Sequence, residues 1–143
     1  MTNLTQGDDT YNGGSGDDSI SSSGGYIYSA IDYGAGTGTF TLSDDAYYLG
    51  RMTSSGDIAI DVTNATAFLI SGSSVKVSIL HVGADGILGL SLDADNPLNP
   101  ILTGSGAAVF DDGAEFDLAL SRIVTTPTTF KVLTASSISL GDI

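Results

Sequence analysis

The sequence contains no cysteine and no tryptophan, three prolines, one histidine and four basic residues. Without cysteine there are no disulfides, no thiolate metal sites and no cysteine nucleophile. Seventeen acids face those four bases, for a formal charge of −13. Nucleic-acid binding needs Lys and Arg to displace counterions from phosphates, so it is disfavoured, and anionic lipid headgroups are disfavoured for the same reason. No apolar run reaches the roughly 18–20 residues that cross a bilayer, and no direct membrane insertion is expected. Residues 1–20 have neither the basic start nor the apolar stretch of a secretory leader, so any export address is expected outside this chain.

Good helix formers are scarce too: two Met, two Lys, two Arg and one Gln. What is abundant favours turns and strands. Gly contributes 19 residues and Ser plus Thr 34, and sixteen of the seventeen acids are Asp, Glu115 being the exception. Asp has a short arm that bonds nearby backbone in turns or reaches a hard cation. Hydrophobic residues make up 41% and charged residues 15%, with a mean hydropathy of +0.22, so there is apolar surface to bury. At 143 residues the chain supports one modest core. It should be almost entirely β.

Residues 1–25 form a Gly/Asp/Ser-rich start, and residues 26–143 a strand-rich body. Short β-like runs are expected at 26–28, 31–33 and 37–42. Alternating apolar positions follow at Ile58, Ile60 and Val62, a run at 67–70, and alternation again at Val75, Val77 and Ile79 with 80–82 continuing. Further runs fall at 87–92, 107–110, then Phe116, Leu118 and Leu120, then 130–133 and 138–140. Period-two spacing puts these side chains on one face. The separators, such as 54–57, 71–74, 83–86, 93–97 and 111–113, are turn chemistry. A sandwich and a solenoid both fit this pattern. Strands of four to six residues and small inward aliphatics favour the solenoid, at roughly 20 residues and about 4.8 Å per coil, which gives six or seven coils.

Gly13-Gly-Ser-Gly-Asp-Asp-Ser-Ile-Ser21 fits the nonapeptide G-G-x-G-x-D-x-U-x at every fixed position, with Asp18 as the acid and Ile20 as the apolar residue. In the preceding frame Gly7, Asp9 and Tyr11 take the Gly, Asp and apolar positions, without the leading Gly pair. The stretch resembles the calcium-binding repeats of RTX secreted proteins, which form a parallel β-roll. That resemblance implies a calcium site drawing on Gly7, Asp9, Gly13, Gly14, Gly16 and Asp18. Glycines let turn carbonyls converge, and Asp supplies negative oxygen. The next frame has Ile27 where Asp is required, so the array ends there; Asp8 and Asp17 are expected to face solvent.

Leu80–Asp93, Asn99–Phe110, Asp112–Leu120 and Thr129–Ala135 follow one another in an order that resembles the C-terminal passenger region of bacterial autotransporters. The likeness runs from about residue 75 to 140. It implies a right-handed parallel β-helix stem with an autochaperone role, located outside the cell or on its surface. The implied partners are a translocator β-barrel and neighbouring passenger coils, with head-to-tail self-association as a further expectation. Together the two resemblances give an all-β, right-handed parallel β-helix with a short β-roll-like N-terminal segment. The expected function is structural and non-catalytic; the alternative is a calcium-binding, self-associating or adhesive module.

The enzyme alternatives have little support in the residues. His81 lies in a strand-like run and is expected to be exposed or hydrogen-bonded rather than catalytic, and no G-x-S-x-G motif accompanies it. The acid pairs Asp44/Asp45, Asp93/Asp95 and Asp111/Asp112 sit in turn-like sequence and are expected as solvated turn caps rather than a glycosidase pair. All six tyrosines fall in the first third of the chain, as Tyr11, Tyr26, Tyr28, Tyr33, Tyr47 and Tyr48. They are expected to cap a solenoid end or to form a self-association surface.

Overall fold

The computed structural model describes residues 10–70, 73–120 and 125–141. Its first strands are β1 (Thr10–Asn12), β2 (Asp18–Ser23), β3 (Tyr26–Tyr28), β4 (Ala30–Asp32), β5 (Gly38–Ser43), β6 (Tyr47–Gly50), β7 (Met52–Val62) and β8 (Thr66–Leu69). They are followed by β9 (Ser74–Val82), β10 (Ile87–Leu92), β11 (Leu102–Gly104), β12 (Ala107–Phe110), β13 (Glu115–Leu120), β14 (Leu133–Thr134) and β15 (Ser137–Leu140). Among the described residues, ten of these strands form one sheet and five the other, and every pairing is parallel. Parallel neighbours cannot be joined by tight hairpins, so the chain must leave each strand and return one pass later.

It does so through three ladders. The first runs β1, β4, β7, β9, β11, β14; the second runs β2, β5, β7, β9, β12, β15; the third, a separate sheet, runs β3, β6, β8, β10, β13. The arrangement is all-β and solenoid-like. β7 and β9 run through both of the first two ladders, which is why they reach 11 and 9 residues instead of the expected four to six.

The register lines up the alternating residues. Ile20 pairs with Phe40, Phe40 with Ile60, Ile60 with Leu80, Leu80 with Ala108 and Ala108 with Ile138. Beside that column runs a second, Ser22, Leu42, Val62, Val82, Phe110 and Leu140. From the other sheet come Ile27, Tyr48, Ala67, Leu88 and Phe116. The core lies between the two sheets, where Phe40 meets Tyr48 edge-on with ring centroids 5.2 Å apart and Phe110 meets Phe116 at 4.7 Å. Each fully buried aliphatic in these columns contributes about 1.5–3 kcal/mol of burial. Tyr33 and Tyr48 are core residues: the Tyr33 hydroxyl donates to the Thr39 carbonyl at 2.7 Å and that of Tyr48 to the Ser29 carbonyl at 3.0 Å. Satisfying the polar tip is what lets a tyrosine sit inside.

Tyr33 and Tyr48 therefore neither cap an end nor form a surface, contrary to expectation, and three further sequence expectations change. Ile79 does not share the inward face of Val75 and Val77. The register slips between Ile58–Val77 and Ala59–Ile79, a bulge at Ser78, so Leu80 turns inward while Ile79 is 45% exposed. Phe130 to Val132 is not a strand; only Leu133–Thr134 pairs, with β11, although Phe130 and Val132 still pack against the core. The repeat is also not constant. Twenty residues separate Ile20, Phe40, Ile60 and Leu80, but the next steps, to Ala108 and Ile138, are longer.

Candidate functional site

The Gly/Asp motif forms the corner between the first two ladders. Residues 13–17 stack on 33–37, and those on 53–57: Ala35 N–H donates to the Gly14 carbonyl at 3.1 Å, and Ser55 and Gly56 N–H both donate to the Gly34 carbonyl. The stacking is close enough to exclude side chains. A Cβ on Gly36 would overlap the Gly16 carbonyl oxygen, and one on Gly34, which also has φ +71°, would overlap that of Gly14. Gly34, Gly36 and Gly56 are therefore demanded by backbone approach, whereas Gly14 and Gly16 of the first pass have open space beside them.

Asp17 and Asp18 divide the work. Asp17 is exposed, and its Oδ1 accepts from both the N–H and the hydroxyl of Thr37 in the next pass, at 3.1 and 2.8 Å. Asp18 begins β2 on its inward phase, shared with Ile20 and Ser22, and its Oδ2 is closed off from solvent. That oxygen lies where a Cβ on Gly13 would sit, with the Tyr33 carbonyl beside the same point. The structure thus gathers Gly13, Gly14, Gly16 and Asp18 at one corner, together with backbone from the following pass. The register partner of Asp18 is Gly38, so the next pass supplies no second carboxylate there. Gly7 and Asp9 lie outside the described residues. Among the described residues no group of three or more His, Asp or Glu side chains gathers in a way that would hold a metal ion.

A second constellation is formed by side chains twenty and thirty positions apart. His81 Nδ1 lies 3.2 Å from Asp61 Oδ1, and Nε2 lies 2.8 Å from Asp111 Oδ2. Asp61 is the register partner of His81 one pass earlier, and Asp111 follows β12 one pass later. Thr63 donates its hydroxyl to the same Asp61 oxygen at 2.9 Å. Two carboxylate acceptors on one ring are fully served only when both ring nitrogens carry protons. The hydrogen bond to Asp111 is the main cause of a raised His81 pKa; partial desolvation opposes it and the negative charge of Asp61 adds to it. The side chain is 34% exposed, so this is a solvent-screened clip between passes. His81 is hydrogen-bonded, as the sequence led one to expect. Its pairing with Asp111 could not be read in advance because the pass lengthens there.

The remaining acid pairs serve turns. Asp44 Oδ2 accepts from the Ser23 hydroxyl at 2.6 Å, and Asp44 and Asp45 both have positive φ. Asp93 accepts from Asp95 N–H and the Asn96 side-chain amide, each at 2.9 Å. On the outer face of the five-stranded sheet, Tyr26, Tyr28 and Tyr47 cluster with ring centroids 5.7–6.1 Å apart, a group whose shared face the alternation of β3 and β6 could have shown. No family model, curated protein or solved structure matches this chain.

Proposed function

We propose that this chain is a non-catalytic structural stem, a right-handed parallel β-helix segment of an exported, autotransporter-like protein displayed at a bacterial cell surface. The observation that supports it is the set of in-register parallel ladders running from β1 to β15 around stacked aliphatic columns. A repetitive core of this kind is built by adding passes, each templated by the edge of the one before. The autochaperone part of the proposal concerns β9 to β15, which cover the autotransporter-like stretch; there Phe130, Val132, Leu133 and Ala135 close against the core. Its partners would be neighbouring coils and a translocator β-barrel. Pulse-labelled hydrogen exchange during refolding of the full chain tests the folding role. Protection is expected in β9–β13 before β2–β6, and simultaneous or reversed protection would remove that role.

Calcium binding at the Gly13–Asp18 corner is a second reading, supported by the inward Asp18 carboxylate over Gly13. Asp18 would supply the anionic oxygen and the stacked glycines their carbonyls, with Gly7 and Asp9 completing the set; the ion would neutralise the corner and tie two passes together. Calorimetric titration of the full chain with calcium should give saturable heat that Asp18→Asn abolishes. Absence of heat, or identical melting in calcium and in chelator, counts against it.

A further inference from the structure

We infer that the cleft between the outer tyrosines and the turns of the second and third ladders binds an organic cation of the quaternary ammonium class. The cleft has a volume of about 220 Å³. One wall is aromatic, formed by the register partners Tyr26 and Tyr47; Tyr28, outside the cleft, stacks on Tyr26 with planes 15° apart. Tyr26 is 55% exposed, so its ring is open to a ligand from solvent. The other wall is formed by Asp45, Asn64 and Asp85, each with positive φ (66°, 48° and 57°), a conformation that Asp and Asn tolerate better than most residues. Asp45 N–H donates to the Asn64 carbonyl at 2.7 Å, which fixes the spacing of the column.

Charge decides the class of occupant. Among the described residues no Lys, Arg or His lines the cleft, whereas two carboxylates do, within a molecule of net charge −13. An anion is repelled from such a place. Aromatic faces carry negative quadrupole density that attracts cations within about 6 Å of the ring centroid. A trimethylammonium head suits this wall, because its charge is spread over methyl groups that pack on rings while the exposed carboxylates supply long-range attraction. This inference does not depend on the stem proposal, since it concerns only the outer surface.

The test is calorimetric titration of the full chain with choline and with its neutral carbon analogue, in which a tert-butyl group replaces trimethylammonium. Choline is expected to bind saturably and the analogue not. Tyr26→Ala and Asp45→Asn should each weaken binding about fivefold or more, while Tyr47→Phe keeps the ring and the affinity. Asp17→Asn, at the corner between the first two ladders, should change nothing. Circular dichroism melting of each variant separates lost binding from lost folding. The inference fails if choline gives no saturable heat, if the analogue binds equally, or if Asp17→Asn weakens binding as much as Asp45→Asn does, which would mean bulk charge alone is read.

Discussion

The same inward columns end very differently at the two extremes of the ladders. In the early passes Ile20 and Leu42 have no exposed surface, while at the far end of the same two columns Ile138 and Leu140 are 54% and 60% exposed. Leu118 and Leu120 of β13 are 49% exposed although their alternation matches that of Leu90 and Leu92. Residue type and spacing are alike at both ends; what differs is whether another layer lies across them. The pattern in a strand specifies which face is apolar, and burial depends on a neighbour that lies elsewhere in the chain.

That contrast can be broken most strongly in the covered half. Phe40→Ala removes a ring held between Ile20 and Ile60 and against Tyr48, and should cost about 3–5 kcal/mol, read as a large fall in Tm. Gly36→Ala drives a methyl group into the Gly16 carbonyl and should cost more than about 2 kcal/mol, whereas Gly16→Ala points into open space and should leave Tm nearly unchanged. If both glycines tolerate alanine equally, the corner is not packed as described.

A smaller effect is expected at the His81 clip, which joins the regularly spaced passes to the longer ones. Its folded pKa is raised, so its stabilisation is fully present below the unfolded value near 6.5 and fades as pH rises through the folded value. His81→Gln should therefore melt lower than the parent chain in mildly acidic buffer and alike in alkaline buffer, with a difference of at most about 1 kcal/mol given its exposure. A pH-independent difference would mean that the ring acts by packing alone. Least of all is expected from Leu140→Ser, which should stay within about 0.5 kcal/mol in the melt while reducing any tendency to associate, as followed by sedimentation.

Much of the architecture was legible because alternation and turn residues recur through the chain. β5, β8, β10, β12 and β13 fall where apolar spacing put them, within a residue or two. β6 was missed because its inward position is Tyr48 and its last inward one is Gly50, neither of which reads as an aliphatic core residue. β11 was missed because Leu102 is its one large apolar residue. Ile79 was misplaced because a bulge leaves no mark in a run of apolar and small residues. At the site level, the gathering of Gly13, Gly14, Gly16 and Asp18 at one corner is legible because these residues are neighbours in sequence. The meeting of Asp61, His81 and Asp111 required the length of each pass, and the last of these lengths could not be counted from the first ones.

The ladders also have a mechanical consequence. Their hydrogen bonds point from one pass to the next, so tension applied between the two ends loads the passes in series, and each bears the whole force. Among the described residues the narrowest matches are two residues long, Ile31–Asp32 with Met52–Thr53 and Leu102–Thr103 with Leu133–Thr134, and the second of these lies at the C-terminal extremity of the ladders. Such a body gives way by peeling from that extremity, rung by rung, while the broad β5–β7–β9 region holds longest.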